Sequence, residues 1–208
     1  MNTQTIQHQT ISLMNTICDI GAATAVLNWD QETYMPHGGS MTRAEQISTL
    51  STLMHQMLTG DNAKQLVEGI KKEHGTNDQP LMRLFVEEHE KAIKLPEDLV
   101  KRVSKAQALG QDIWKEARAN KDFSAFASIL DELLTLKREE AECRGYVENR
   151  YDALLDIYEP GATVSHLNPV FDKLRDATST ILKAIEPVKQ TVSDKPLLQH
   201  FPGDAQMA

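Results

Sequence analysis

The sequence predicts an all-α protein. Apolar residues recur at spacings of three and four along most of the 208 residues, which is the period of one face of a helix. Proline, glycine and capping residues separate these segments, and no stretch alternates with period two long enough to indicate a strand. The connections are short, which favours antiparallel neighbouring helices.

The first predicted helix runs from about Thr5 to Trp29 and is followed by a loop rich in proline and glycine over 34–40. Its apolar stripe consists of Leu13, Ile17 and Ile20, flanked by Met14 and Cys18. The second helix has the spacing of a capping box at Thr42 and Glu45, and it is expected to stop at Gly60.

The third and fourth predicted helices are shorter. Asp61 is predicted to cap the third, which stops at Gly75, and Asp78 with Pro80 opens the fourth. The apolar residues assigned to their faces are Leu66, Val67 and Ile70 in the third helix, and Leu81, Leu84 and Phe85 in the fourth.

The fifth and sixth helices are longer. Pro96 precedes two acidic residues at the start of the fifth, where the helix dipole favours negative charge, and the sixth runs from near Asp122 towards Gly145. Their expected apolar positions are Leu99, Val100, Val103, Ile113 and Trp114 in the fifth helix, and Phe126, Ile129, Leu130 and Leu133 in the sixth.

A short apolar piece, Tyr151–Tyr158, precedes the last predicted helix, which starts near Thr163 or Ser165 and ends before Pro187. Its apolar stripe is expected to consist of Leu167, Val170, Phe171, Leu174 and Ile181. The final residues, over 201–206, have the pattern of a turn and an N-cap that open one more helix.

Composition limits the possible partners. The sequence has 30 Asp and Glu against 22 Lys and Arg, a net charge of −8, which argues against nucleic acid or an anionic membrane as a partner. No stretch approaches the roughly 20 apolar residues of a membrane span, and the polar N-terminus has no signal-peptide pattern. Cys18 and Cys143 have no paired spacing and are expected in the core. A cytoplasmic location is predicted.

No metal site is expected from the histidines. A zinc hydrolase helix needs His-Glu-x-x-His, which places two imidazoles on one face. The only His-Glu pair is His89-Glu90, and Ile93 stands where the second histidine would be. His89 is therefore interpreted as a solvated residue on a charged helix face.

Two clusters combine aromatic, acidic and amide side chains. The first contains Trp29, Asp30, Gln31 and Glu32, followed by Arg43 in the next helix. The second begins with Tyr151 and Asp152 and ends at Glu159-Pro160-Gly161. Both are interpreted first as buried polar networks that fix helix angles, with substrate contact as the alternative. Asp30 and Glu32 also raise the possibility of glycosidic acid–base catalysis.

These clusters carry a family resemblance. Trp-Asp-Gln-Glu-Thr-Tyr-Met-Pro at 29–36, with Gly38-Gly39 and Arg-Ala-Glu-Gln at 43–46, resembles the N-terminal signature of the carboxypeptidase Taq family. Tyr-Asp-Ala-Leu-Leu-Asp at 151–156, followed by Tyr-Glu-Pro-Gly, resembles the second N-terminal landmark of that family. The resemblance covers essentially residues 1–208, as an N-terminal helical region.

The resemblance implies the helical lobe of a larger, zincin-like metallocarboxypeptidase that removes C-terminal residues from peptides in a deep groove. Members of the family hold zinc with a His-Glu-x-x-His helix and a downstream glutamate, and they commonly form cytosolic homodimers. No metal ligand or catalytic base can be transferred to this sequence. Trp29, Asp30, Gln31, Glu32 and Arg43 are the candidates for shaping the groove, with Tyr151 and Asp152 as substrate-groove or structural candidates.

The resemblance leaves three functional hypotheses. The first is an N-terminal part of a metallocarboxypeptidase that is inactive alone and exposes apolar surface, with self-association or partial disorder near its C-terminus. The second is a helical binding or regulatory module that kept the lobe without the chemistry. The third, ranked far below, is a glycosidase that uses Asp30 and Glu32.

Overall fold

The computed structural model describes residues 3–74, 79–187, 193–195, 197–200 and 202. Within these ranges it contains eight α-helices and no β-strand, which confirms the predicted class. The helices are α1 (Thr3–Thr33), α2 (Ser40–Thr59), α3 (Asp61–His74), α4 (Pro80–Ala92), α5 (Glu97–Asn120), α6 (Phe123–Arg144), α7 (Asp152–Leu155) and α8 (Val164–Ile185). The chain divides into two compact units, Met1–Pro160 and Gly161–Ala208.

Several helix ends form where local chemistry predicts them. Asp122 and Thr163 each accept a hydrogen bond at 3.2 Å from the backbone N–H three residues ahead, which satisfies a donor that the first helical turn leaves unpaired. Pro80 is the first residue of α4, and Gly145 ends α6 with a φ of 81°, a conformation that glycine adopts without strain. The signals at Gly75 and Asp78, and those over 201–206 except Pro202, lie outside the described residues.

Three predicted helix boundaries differ from the structure. The first helix does not end at about Trp29 but continues to Thr33, so the segment from Trp29 to Thr33 is the last turn of α1. The Thr42 capping box does not form, because a 3₁₀ turn at His37–Gly39 leads directly into α2 at Ser40 without a side-chain cap. Asp61 is the first helical residue of α3 rather than its cap.

One core cluster joins α1, α3 and α4. It consists of Ile6, Ala63, Leu66, Val67, Ile70, Met82, Phe85 and Val86. The helices approach closely, since a Cβ on Gly69 of α3 would lie 2.9 Å from Ile6 Cδ1. The predicted face of α4 is only partly right: Phe85 is buried, but Leu81 and Leu84 are exposed.

His89 also lies inside the protein, so its interpretation as a solvated residue is wrong. The side chain is buried on the same face of α4 as Phe85, and Nδ1 lies 2.7 Å from the carbonyl oxygen of Leu58 near the end of α2. Because a carbonyl can only accept, Nδ1 is the donor. This hydrogen bond satisfies one of the last carbonyl groups of α2, so His89 links α4 to α2.

A second core cluster joins α5 and α6, with Leu99, Ala106, Ile129 and Leu136 buried. A Cβ on Gly110 would lie 3.1 Å from Leu133 Cδ1, so a glycine allows the two helices to pack closely. Trp114 was predicted in this core but is exposed. Cys143 packs against the cluster as expected, whereas Cys18 is exposed on α1.

The apolar stripe of α8 is formed but not buried. The helix has no buried residue, and the predicted core positions Val170, Phe171, Leu174 and Ile181 are all exposed. The periodicity therefore predicted the helix α8 and the residues that share its apolar face. The prediction that this face is buried is wrong.

The length and composition of α1, between Gln4 and Thr33, would allow it to cross a membrane, alone among the helices of the described ranges. This corrects the expectation that no segment approaches a membrane span. Core helices of soluble proteins meet the same criterion, and α1 packs on α2, α3 and α4. Its buried polar residues include Thr10 and Gln31.

Candidate functional site

The candidate site of the first cluster lies at the C-terminal end of α1, where a side chain from α2 holds the helix in place. Arg43 Nη1 donates a hydrogen bond of 2.5 Å to the carbonyl of Leu27, and Nη2 pairs with Asp30 Oδ2 at 2.6 Å. The carbonyl bond anchors the guanidinium on the last two turns of α1, and the positive charge complements the helix dipole. The Arg43 side chain is only 13% exposed, so this guanidinium acts as a tether between α1 and α2.

A second tether comes from α5. Gln31 is buried, and its Nε2 donates to the carbonyl of Ala108 at 2.9 Å and to Asp112 Oδ1 at 3.3 Å. Lys115 extends the contact by pairing with Glu32 at 2.9 Å and donating to the carbonyl of Gln31 at 3.3 Å. The end of α1 is thus fixed against both α2 and α5.

The structure brings four predicted residues of the first cluster, Asp30, Gln31, Glu32 and Arg43, into this tethering network. Sequence reasoning did not find Asp112 and Lys115, which lie on a charged helix and resemble any solvated pair. Asp112 is unusual because its Oδ2 is buried without a hydrogen-bond partner, which leaves one acceptor there for a further donor.

Trp29 differs from its neighbours because it faces outward. Its side chain is 57% exposed, and its ring centroid lies 5.4 Å from that of Tyr34, tilted by 59°. This geometry is typical of a favourable aromatic pair. Two exposed aromatic rings beside a fixed helix end form a surface suited to contact with a ligand or another part of a fold.

A cavity of about 360 Å³ lies between α1, α2 and α5 beside this network. Its lining is rich in amide and hydroxyl side chains and consists of Thr24, Asn28, Gln31, Glu32, Ile47, Ser51, Ser104, Gln107, Ala108 and Gln111. Such groups can donate and accept hydrogen bonds with a polar ligand. The only carboxylate in the lining, Glu32, pairs with Lys115.

The second predicted cluster lies elsewhere, at the short helix α7. Tyr151 precedes α7 and is exposed, whereas Asp152 is its first residue and is partly buried. The helix contacts α6, and Asp156 pairs with Lys91 of α4 at 3.1 Å. This arrangement fixes α7 against α4 and α6, whereas the first cluster rests on α1, α2 and α5.

The chemistry available to these side chains is limited to binding and positioning. Asp30 and Glu32 pair with Arg43 and Lys115 on different helices, and residues two apart on a helix do not face each other. They do not form the facing pair that a glycosidase needs. In the same signature, the hydrogen bond and charge of Lys105 lower the pKa of Glu45, so this carboxylate stays ionised.

The described residues contain no group of three or more His, Cys, Asp or Glu side chains that could hold a metal ion. His89 is already engaged by the Leu58 carbonyl, and the neighbouring Ile93 offers no ligand atom. These residues therefore do not fit the metal centre of a metallopeptidase.

Comparison with known proteins agrees with the fold and the signatures. Residues 9–208 match the family model "Carboxypeptidase Taq (M32) metallopeptidase". The chain belongs to the carboxypeptidase Taq family. This result confirms the resemblance found in the sequence motifs.

Members of the carboxypeptidase Taq family are also found among curated proteins and solved structures. The chain is 31% identical over 188 residues to Carboxypeptidase 1 of Bacillus subtilis, and 33% identical over 179 residues to Thermostable carboxypeptidase 1 of Pyrococcus furiosus. These matches cover 89% and 85% of this chain. A solved structure described as "BsuCP Crystal Structure" is 29% identical and superposes on 98% of this chain with a TM-score of 0.92.

The chain spans well under half of these carboxypeptidase Taq family proteins. It covers 38% of the Bacillus subtilis protein, 36% of the Pyrococcus furiosus protein and 41% of the solved chain. The matched part is their N-terminal portion.

Proposed function

We propose that the chain is the N-terminal helical lobe of a metal-dependent carboxypeptidase that releases C-terminal amino acids from peptides. The observation that carries this proposal is the match of residues 9–208 to a metallopeptidase family, together with the superposition of nearly the whole chain on a longer relative. The lobe would contribute structure and groove surface rather than reacting groups.

The catalytic metal, zinc by analogy with the family, would be held by residues outside this chain. A divalent metal in such enzymes polarises the scissile carbonyl and activates water. The described residues do not fit that role, so no step of hydrolysis is assigned to them. The chain alone is therefore expected to be inactive, with peptides as substrates only for the longer protein.

Within this proposal, Trp29 is the residue best suited to face the substrate groove, because it is exposed beside a rigid helix end. Asp30, Gln31, Glu32 and Arg43 would fix that end, and Tyr151 with Asp152 would support the lobe at α7. We also propose a cytoplasmic location and a homo-oligomeric longer protein, without nucleic acid or membrane partners.

The test compares the chain alone with a longer protein. The reading frame beyond Ala208 should be determined first; if it continues and encodes His-Glu-x-x-His, the longer protein should be expressed. With zinc, the longer protein should release C-terminal residues from N-blocked peptides, and a chelator should abolish this activity. The 208-residue chain should show none. Metal-dependent release by the chain alone would contradict the proposal.

The second candidate function is a helical module that binds a partner and performs no chemistry. The feature that favours it is a first unit with its own buried core around α3 and α4. A stop codon directly after Ala208, with a stable monomeric chain that melts cooperatively, would support this module and count against the peptidase lobe.

A further inference from the structure

The most prominent surface outside the candidate site is the apolar stripe of α8. Six large apolar side chains along this helix are each between 52% and 61% exposed: Val170, Phe171, Leu174, Ile181, Leu182 and Ile185. Val170 and Phe171 stand four and three residues before Leu174, and Ile181 stands seven residues, about two turns, after it. Ile181 and Leu182 stand four and three residues before Ile185, and Leu167 lies one turn before Val170. These positions lie along one face of a continuous helix. An exposed apolar stripe of this length marks an interaction surface.

The opposite side of α8 is polar and includes ion pairs within the helix. Arg175 pairs with Asp172 at 2.9 Å and with Asp176 at 3.3 Å. A helix of this length gains most of its stability when its apolar face packs against a partner. The asymmetry of α8 therefore indicates that the stripe, and not the charged face, meets that partner.

The spacing also indicates the kind of partner. Apolar residues repeating at alternating intervals of three and four form ridges that fit the grooves of another helix. A longer relative superposes on 98% of this chain, while the chain covers only 41% of that relative. The α8 segment is thus shared by a fold that has much more polypeptide than this chain.

We propose that the α8 stripe docks a helix from the remaining portion of a carboxypeptidase Taq fold, the portion that follows the region matched here. This inference rests on the proposed function. The chain carries a net charge of −8, which opposes pairing of two copies through this face.

The test uses two polypeptides in one cell. The 208-residue chain, with an affinity tag, is co-expressed with the part of Bacillus subtilis Carboxypeptidase 1 that follows its matched region. Leu174→Lys places a charge in the centre of the stripe. Thr180→Lys adds the same charge on an exposed position away from the stripe. Neither residue is buried, so both variants should fold.

The expected result is a one-to-one complex that Leu174→Lys weakens about tenfold or more and Thr180→Lys leaves intact. Equal effects of the two variants would overturn the proposal. The matched N-terminal part of the Bacillus subtilis protein serves as the positive control; if it forms a complex and this chain does not, the proposal is also wrong. A homodimer of the chain that Leu174→Lys disrupts, without capture of the second polypeptide, would assign the face to a second copy.

If the control fragments fail to associate, the same two variants are compared in a single polypeptide that joins residues 1–208 to the Bacillus subtilis remainder. A larger loss of thermal stability for Leu174→Lys than for Thr180→Lys supports docking, and equal losses overturn it. Carboxypeptidase activity is recorded separately. A docked but inactive protein would reject the proposed function alone, and an active protein insensitive to Leu174→Lys would reject the docking alone.

Discussion

The helices α3 and α4 and the helix α8 have similarly regular apolar faces, yet their environments differ completely. Leu66, Ile70 and Phe85 are each 1% exposed, whereas α8 has no buried residue. The helices α3 and α4 pack against α1 and form a core within their own unit. The difference shows that periodicity determines which side chains share a face, while burial depends on whether another element covers that face.

The largest expected effect follows from the buried side of this comparison. Phe85→Ala should lower the free energy of unfolding by about 4 kcal/mol, because it removes a fully buried aromatic ring and leaves a cavity. Denaturant unfolding followed by circular dichroism measures the change. Leu84→Ala, at an exposed position in the same helix, is the control. Similar losses for the two variants would mean that α4 is not buried as described.

A second effect concerns a buried charge in α6. Glu140 is 5% exposed and pairs with Lys137 at 2.7 Å and Arg144 at 2.7 Å. Glu140→Gln should lower the unfolding free energy by about 2 kcal/mol, since a neutral amide cannot replace both charge-assisted hydrogen bonds of the buried carboxylate. The control is Glu132→Gln at an exposed position of α6, which should have a much smaller effect.

The acid sensitivity of Glu140 follows from its pKa. Burial alone would raise the pKa, but the hydrogen bonds of Lys137 and Arg144 outweigh burial and hold it below the ordinary value of 4.5. A carboxyl group whose pKa is lower in the folded than in the unfolded protein stabilises the fold at pH values above its unfolded pKa. This contribution disappears as the pH falls through the folded pKa. The acid unfolding midpoint should therefore differ between wild type and Glu140→Gln, and identical acid profiles would contradict the assignment.

The tether at the end of α1 should have an intermediate effect. Arg43→Gln removes the ion pair with Asp30 and the bond to the Leu27 carbonyl, and it should lower the unfolding free energy by about 1.5 kcal/mol. Arg83→Gln is the matched control, because Arg83 is half-exposed and lies 3.6 Å from Glu87. Hydrogen exchange of the α1 amides near Leu27 should increase only in Arg43→Gln; unchanged protection there would argue against a tether.

A smaller, pH-dependent effect is expected at His55 of α2. Burial lowers its pKa from the ordinary 6.5, although Glu97 and the backbone near Leu95 oppose this shift. The unfolded chain therefore binds the proton more readily, so the contribution of His55 to stability is fully present above pH 6.5 and decreases as the pH falls. Melting curves at about pH 7.5 and about pH 5.5 should differ by less in His55→Gln than in wild type. An unchanged difference would exclude His55 as the cause.

The smallest effect is expected in α8. Leu174→Ala should change the unfolding free energy of the 208-residue chain by no more than about 0.5 kcal/mol, because the side chain is 58% exposed. The same denaturant series used for Phe85→Ala measures it. A loss as large as that of Phe85→Ala would show that the stripe is already covered in the isolated chain.

Local chemistry in the sequence predicted much of the helical frame. The sixth helix begins near Asp122, as predicted, and Thr163 rather than Ser165 caps the last helix. Pro80 begins α4 and Gly145 ends α6. These signals act over one helical turn. The capping box at Thr42 failed for a local reason as well: the preceding 3₁₀ turn already supplies the start of α2.

The candidate site was predicted only in part. The motif residues Asp30, Gln31, Glu32 and Arg43 do meet, but their partners Ala108, Asp112 and Lys115 are more than 70 positions away in the chain. No local pattern identifies such partners, since Lys115 resembles any exposed lysine on a charged helix. The same reason explains His89, whose charged neighbours in sequence suggested solvent while the end of α2 covers it.

The sequence by itself determined that this protein is helical, where many of its helices begin and end, and which family signatures it carries. These properties depend on period, capping and motif spacing, which are local. Tertiary structure alone decided that Phe85 and His89 are inside, that Arg43 and Gln31 hold the end of α1, and that the stripe of α8 remains exposed. A side chain is buried only when another helix packs on it, and that contact is a property of the folded chain rather than of any segment.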